Sequence, residues 1–379
     1  MKLCIINGNV ILKDRVVKSN IYIENGSIIE ISNRQPKDEK IIDAKHRYVS
    51  PGFIDIHMHG RGGSDSMYPT FADLNTISKT SMMTGVTSIL PTTMTMGIDD
   101  TQKAVMNIVK NSSLVEGSKI LGIHMEGPFF NVAYKGAQPA EFMIPPTIEN
   151  LEKLSDGQLQ FVKKLSLAPE LKGSLELIAY LVSKGVVASA AHTNANYEEM
   201  YAAIDAGITS ATHTFNAMTP MTHREPGVVG ATMEDDRVYA ELILDGVHVS
   251  YPAAKVLIKA KGVDKVALIT DSMEAASLKD GQYNLGNQAV FVKDNAARLE
   301  NGSLAGSVLS MNTAVYNACT FLELPIYEAV RMATLTPANS LNLHDVGEIA
   351  INKKADIALF DENIDISCVI IEGEVMFGG

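Results

Sequence analysis

The segment PGFIDIHMHG, residues 51–60, closes an apolar run with two histidines one residue apart. In an extended strand alternate side chains share a face, so Asp55, His57 and His59 point one way and Ile54, Ile56 and Met58 the other. Two neutral imidazoles side by side suit the ligation of one divalent cation, for which imidazole is the commonest protein ligand. H-x-H also occurs at strand ends that do no chemistry, so its meaning depends on what else meets it. Similar groups close other short apolar runs: Glu126 in HMEG, His192 in AAHT, His213 in ATHT, His248 in DGVH and Asp271 in LITD. Each alone has a plain structural reading, as a hydrogen-bonded rim histidine or as a carboxylate that caps a helix or turn. Their shared placement is far more specific than any one member.

The elements that would position these groups alternate along the chain. FIDIHMH, TSILPTT, KILGIHMEG, LSLAPE, VVASAAHT, ITSATHTFN, YAELILDGVHV and KVALITDSM read as buried strands, and amphipathic stretches such as GSLELIAYLVSKG and NYEEMYAAIDAG lie between several of them. Eight such units predict an α/β fold, a closed (β/α)8 barrel of the TIM type over residues 51–344, with a doubly wound sheet as the competitor. In a barrel the C-terminal ends of all strands meet at one mouth, which would make neighbours of groups far apart in sequence. His124, two residues before Glu126, would lie one layer deeper and serve structure. His46 and His344 fall outside or at the edge of the barrel, and His223 stands beside Arg224 in a loop with either role open.

The chain ends behave differently. Residues 1–50 and 345–379 show short strands and turn signals such as ENGS and IEGE without helices, and are expected to pair as one small β-sandwich domain. Residues 275–305 interrupt the βα rhythm with Gly- and Asn-punctuated strands, an insertion after the eighth strand. The chain has 379 residues, 46% hydrophobic and 20% charged. It has no apolar run of about 18 residues that could span a bilayer and no signal-peptide pattern at its start. Its net charge is −12, and no basic stripe offsets it, which argues against a nucleic-acid partner. Cys4, Cys319 and Cys368, odd in number and scattered, suit free thiols in a reducing compartment, so the expected location is the cytoplasm.

PGFIDIHMHG, GIHMEGPF with the following KGAQP, AAHTNA, THTFNAMTPMTHREPG, LILDGVHV and LITDSM resemble, in order and spacing, the N-acetylglucosamine-6-phosphate deacetylases of the amidohydrolase superfamily. The resemblance spans essentially the whole chain, and H-x-E-G-P with H-x-x-N-A-M and R-E-P-G belongs to this branch in particular. It implies that Glu126, His192 and His213 hold the main catalytic metal and that Asp271 acts as general base and then acid. The retained His57 and His59 imply a second metal bridged by Glu126. One or two divalent ions per subunit follow, with Zn or Fe foremost and Mn or Co also compatible. Some relatives place a histidine that helps polarise the acetyl carbonyl where this chain has Gln138. The resemblance therefore puts Gln138 among the substrate-binding residues, although its amide can donate a hydrogen bond but cannot carry a proton.

The resemblance further implies that Arg224, His248 and the backbone at Asn216 and Ala217 bind a sugar phosphate, and that the chain is a homodimer whose neighbouring subunit completes the site, with Arg224 or His248 as its contribution. The implied reaction starts from water whose pKa a metal lowers from about 15.7 toward about 7. Hydroxide attacks the N-acetyl carbon, and acetate and glucosamine 6-phosphate leave. Two other readings are a deaminase or cyclic-amide hydrolase of the same superfamily and a non-catalytic barrel. The cyclic-amide enzymes commonly bridge their metals with a modified lysine on strand four, and LSLAPE ends in none. A non-catalytic relative would have lost ligands that this chain keeps.

Overall fold

The computed structural model describes residues 2–378. Eight parallel strands form its centre: Phe53–Met58, Val86–Thr93, Ile123–Glu126, Val162–Leu167, Val187–Ala190, Ile208–Ala211, Tyr239–Ile243 and Val266–Ile269, the first to eighth barrel strands. Each pairs in parallel with the next. The ring closes because Met58 bridges Ser272 in parallel register and the Asp271 N–H donates to the His57 carbonyl at 2.9 Å. The chain therefore forms a barrel, and the doubly wound alternative is excluded. The third strand is shorter than KILGIHMEG suggests, since Lys119–Ile120 pairs separately and Gly122, at φ +152°, breaks the run. The fourth starts earlier than LSLAPE and takes in Lys164.

Strands buried on both faces need partners on both. On the outside, Ile54, Ile56 and Met58 join the apolar cluster that also holds Ala329, Val330 and Met332 from the last helices. A typical helix is Tyr197–Ala206, where Met200, Ala203 and Ile204 make the buried stripe at helical spacing. Asn196 and Glu199 cap it reciprocally, worth about 1 kcal/mol, and Gly207 at φ +122° ends it. Gly127 follows Glu126 at φ +84°, and a Cβ there would lie 2.3 Å from Thr95 Oγ1, so only glycine lets the chain turn away directly after this carboxylate.

The lumen is polar rather than aliphatic. Asp55 Oδ2 accepts from Thr270 Oγ1 at 2.6 Å, and His124 contacts Thr92 Oγ1 at 3.2 Å and Ser166 Oγ at 2.7 Å. Thr212 Oγ1 links Ser166 and Ser189 at 2.8 and 2.6 Å. Both ring nitrogens of His124 are thus engaged below the mouth. Burial and the nearby Lys164 charge hold it well below the ordinary imidazole range, a neutral structural histidine.

The two chain ends form one eight-stranded mixed sheet, in which Tyr48–Pro51 from the N-terminal part pairs antiparallel with Ile357–Phe360 from the C-terminal part. The sheet folds over, because Ile21 and Ile23 near one edge share a core with Ile357 and Ile370 near the other. After the eighth barrel strand, Gly281–Leu285, Gln288–Lys293 and Ala296–Leu299 make a three-stranded antiparallel sheet. Val290 and Val292 turn inward onto Met94 and Met273 beside the barrel mouth. Gln288 Nε2 donates to the Ala137 carbonyl at 2.6 Å, which ties this insertion to the loop that carries Gln138.

Candidate active site

His57 lies in the first strand, His59 just past it, and Glu126 ends the third. His192, His213 and Asp271 each stand two residues beyond the fifth, sixth and eighth strands, with φ of +45°, +33° and +48°. Left-handed backbone at a non-glycine residue costs on the order of 1–3 kcal/mol and clusters at functional sites. Here it turns three strand ends inward onto one point.

Two donor triplets result, His57–His59–Asp271 and Glu126–His192–His213, each with its ligand atoms within 4.8 Å of one another and all six residues buried. Glu126 stands between them. Its Oε1 is 3.1 Å from His213 Nε2, 3.4 Å from His192 Nε2 and 3.6 Å from His57 Nε2, while Oε2 is 3.1 Å from His59 Nε2. Asp271 Oδ1 lies 3.4 Å from His57 Nε2 and 3.3 Å from His59 Nε2.

The hydrogen-bond partners decide the tautomers. His57 Nδ1 faces Glu241 Oε2 at 3.1 Å and His192 Nδ1 faces the Tyr134 carbonyl at 2.9 Å. Both acceptors require a proton on Nδ1 and leave Nε2 as a bare lone pair in the neutral ring. His57 Nε2 has no hydrogen-bond partner among the described residues, and the two Nε2 atoms of His192 and His213 stand 3.2 Å apart. Lone pairs that converge on carboxylate oxygens repel unless positive charge sits among them, so the donor set fits divalent cations.

The electrostatics ask for the same charge. Burial disfavours ionised Glu126, yet His57, His192, His213 and His59 hold it well below the carboxylate range, and Asp271 is lowered by His57 and His59. Burial likewise opposes a charged His59, but Asp271 and Glu126 push it well above the imidazole range. Protons and metal ions compete for such a site.

These groups open on a pocket of about 180 Å³. Gln138, Asn216, Ala217 and His248 line it with His59, Glu126, His192, His213 and Asp271. His248 reaches it from a turn five residues beyond the seventh strand, with Nδ1 on Asp245 Oδ2 at 2.6 Å. Arg224 is exposed and is not brought to the pocket of its own chain. His46, His223 and His344 are exposed as well.

The sequence reading missed Glu241 and Lys164, which lie under the mouth as a buried ion pair. The available signal was a charged residue inside each of two strands, Glu241 in YAELI and Lys164 in VKKLSL. Of the two strand-four lysines, Lys163 and Lys164, the second is buried, and its ammonium is taken by Glu241 below the candidate ligands. The residue that stands between the two donor triplets is Glu126, and Lys164 does not reach that place. Leu285, Ser303 and Leu304 of the insertion also line the pocket, a placement no local periodicity carries.

Fold and donor set together define the class, a (β/α)8 hydrolase whose mouth can hold divalent cations. The Amidohydrolase family model matches residues 48–376. The N-acetylglucosamine-6-phosphate deacetylase of Bacillus subtilis (strain 168) is 35% identical over 378 residues, covering 97% of this chain and 95% of that protein. The N-acetylgalactosamine-6-phosphate deacetylase of Escherichia coli O157:H7 is 34% identical, covering 94% of each. The crystal structure of N-acetylglucosamine-6-phosphate deacetylase from Pasteurella multocida superposes with a TM-score of 0.94 at 29% identity, covering 99% of both chains. The chain belongs to the amidohydrolase family, in its N-acetylglucosamine-6-phosphate deacetylase branch.

Proposed function

We propose that this chain hydrolyses the N-acetyl group of N-acetylglucosamine 6-phosphate, releasing acetate and glucosamine 6-phosphate. The observation that carries the reading is the pair of donor triplets joined through Glu126 at the floor of one pocket. The activity named for the Bacillus subtilis and Pasteurella multocida relatives supports the substrate.

Glu126, His192 and His213 would hold one cation and His57, His59 and Asp271 a second, with Glu126 as the bridge; Zn or Fe suits these ligands foremost, and Mn or Co also. Bound there, a divalent cation supplies Lewis acidity toward a carbonyl oxygen and acidifies water. Asp271, between the two first-strand imidazoles, takes the proton of the attacking water at a carboxylate oxygen and hands it to the departing nitrogen. Gln138 holds Glu126 in place through its amide. His248 and the backbone at Asn216 and Ala217 bind the phosphate end.

A homodimer in which Arg224 serves the neighbouring pocket fits its exposure outside its own. No helix of the described residues is long and apolar enough to cross a membrane, and three unpaired cysteines support a cytoplasmic location. The shared core of the two chain ends supports residues 1–50 with 345–379 as a separate small domain beside the catalytic barrel of 51–344.

Acetate release is the test, measured with metal content on N-acetylglucosamine 6-phosphate, its galactosamine epimer and unphosphorylated N-acetylglucosamine. The expected order is fastest turnover on the first. Metal-loaded protein that frees no acetate from either 6-phosphate sinks the reading.

A further inference from the structure

Glu241 rises from the seventh strand into the lumen and is fully buried, as is Lys164 from the fourth. Glu241 Oε1 accepts from Lys164 Nζ, and Oε2 faces His57 Nδ1 at 3.1 Å. The same Oε2 lies 3.4 Å from the His213 backbone N–H, a longer contact. A buried lysine–glutamate pair stabilises a fold little more than apolar residues of the same volume, so stability alone does not account for it. What only this pair supplies is a fixed acceptor under one imidazole. The rings of His124, His59 and His213 stand 4.6, 5.5 and 5.7 Å from that of His57, and Glu241 is the group that meets its Nδ1.

We propose that Glu241, charge-balanced by Lys164, is a positioning residue that keeps the proton of His57 on Nδ1 and directs its bare Nε2 toward Glu126 and Asp271, so that the first-strand histidines hold the second cation. The inference rests on the two-cation reading of the mouth. A carboxylate behind a ligating imidazole fixes its tautomer and orientation and raises its basicity, and losing such a partner typically weakens metal binding about 10–100-fold. The Glu126–His192–His213 position depends on it less, because His192 is oriented separately by the Tyr134 carbonyl.

Two double variants separate the acceptor from the charge. Lys164→Met with Glu241→Gln removes both charges and leaves an amide oxygen for His57; Lys164→Met with Glu241→Leu removes the acceptor too. Elemental analysis and Co(II) titration followed by visible absorption should find two ions per subunit in the parent and in the Met/Gln variant. In the Met/Leu variant the second ion should bind about 10–100-fold more weakly. Equal second-site binding in both variants, whether retained or lost, overturns the inference. Nitrogen-15 NMR of histidine-labelled, metal-free parent reads the tautomer with no variant needed, and a His57 protonated on Nε2 alone overturns it as well. A parent that binds one ion defeats this inference together with the two-cation reading, while acetate release by that parent would leave the deacetylase assignment standing.

Discussion

Gln138 donates from Nε2 to Glu126 Oε2 at 2.7 Å, while its Oε1 accepts the Thr95 N–H at 2.9 Å. The backbone donor fixes which end of the amide is oxygen, so the nitrogen must face the carboxylate. Where the resemblance led one to expect a group that polarises the substrate carbonyl, this chain has an amide already committed at both ends.

Gln138→Ala should therefore act through Glu126. A buried carboxylate oxygen and a buried N–H would each lose a partner, at about 1–3 kcal/mol apiece. The expected result is a kcat lowered about 10–100-fold with KM for the phosphorylated sugar changed little, and a smaller share of bound metal. Steady-state kinetics with elemental analysis checks it. A raised KM at full kcat and full metal content would mean that Gln138 works on the substrate directly.

Asp271→Asn should keep the fold and the ion at Glu126–His192–His213, yet lose about 10²–10⁴-fold in kcat, because an amide cannot accept the water proton. Turnover near the parent rate would remove Asp271 from the proton path.

The convergence of the six candidate ligands was legible because each combines a ligating residue type with the end of an apolar run, and the barrel brings such ends together. His192, His213 and Asp271 needed no loop knowledge, since each sits two residues past its strand. Glu241 and Lys164 escaped because they lie inside strands, where the number of residues to the mouth rather than the residue type decides what they touch. Lys164 also fell outside the run read as strand four. His248 depends on a turn built by Asp245, and Arg224 on a loop whose course periodicity does not encode.

Asp65 offers a pH test at a buried carboxylate that is not itself a candidate ligand. It is buried, and burial raises its carboxyl from 3.8 to about 6, against the opposing pull of His59 and the Met67 N–H that it accepts at 2.8 Å. A raised carboxyl favours the folded state while protonated. That contribution is complete below about pH 4 and is lost as pH rises through about 6, a change of about 3 kcal/mol. Asp65→Asn has no such titration, so its stability relative to the parent should climb by about that amount between pH 4 and 7. Urea unfolding of both proteins across that range measures it, and parallel profiles would contradict it.

Arg224 carries the last prediction. It is exposed on its own chain and absent from its own pocket, although a sugar phosphate needs a cation and His248 is paired with Asp245. Arg224→Ala should raise KM for the 6-phosphate about 10–100-fold, as expected for loss of a charge-assisted bidentate contact, and leave the unphosphorylated sugar untouched. If the guanidinium serves the neighbouring subunit, Arg224→Ala and Asp271→Asn should complement each other when the two variants are mixed and allowed to exchange subunits. A mixed dimer then has one pocket with an intact Asp271 and the partner's intact arginine. Random pairing puts about a quarter of all pockets in that state, so activity at low substrate should recover to about a quarter of the parent. Recovery no greater than the sum of the separate variants would show that Arg224 acts within its own chain or not at all.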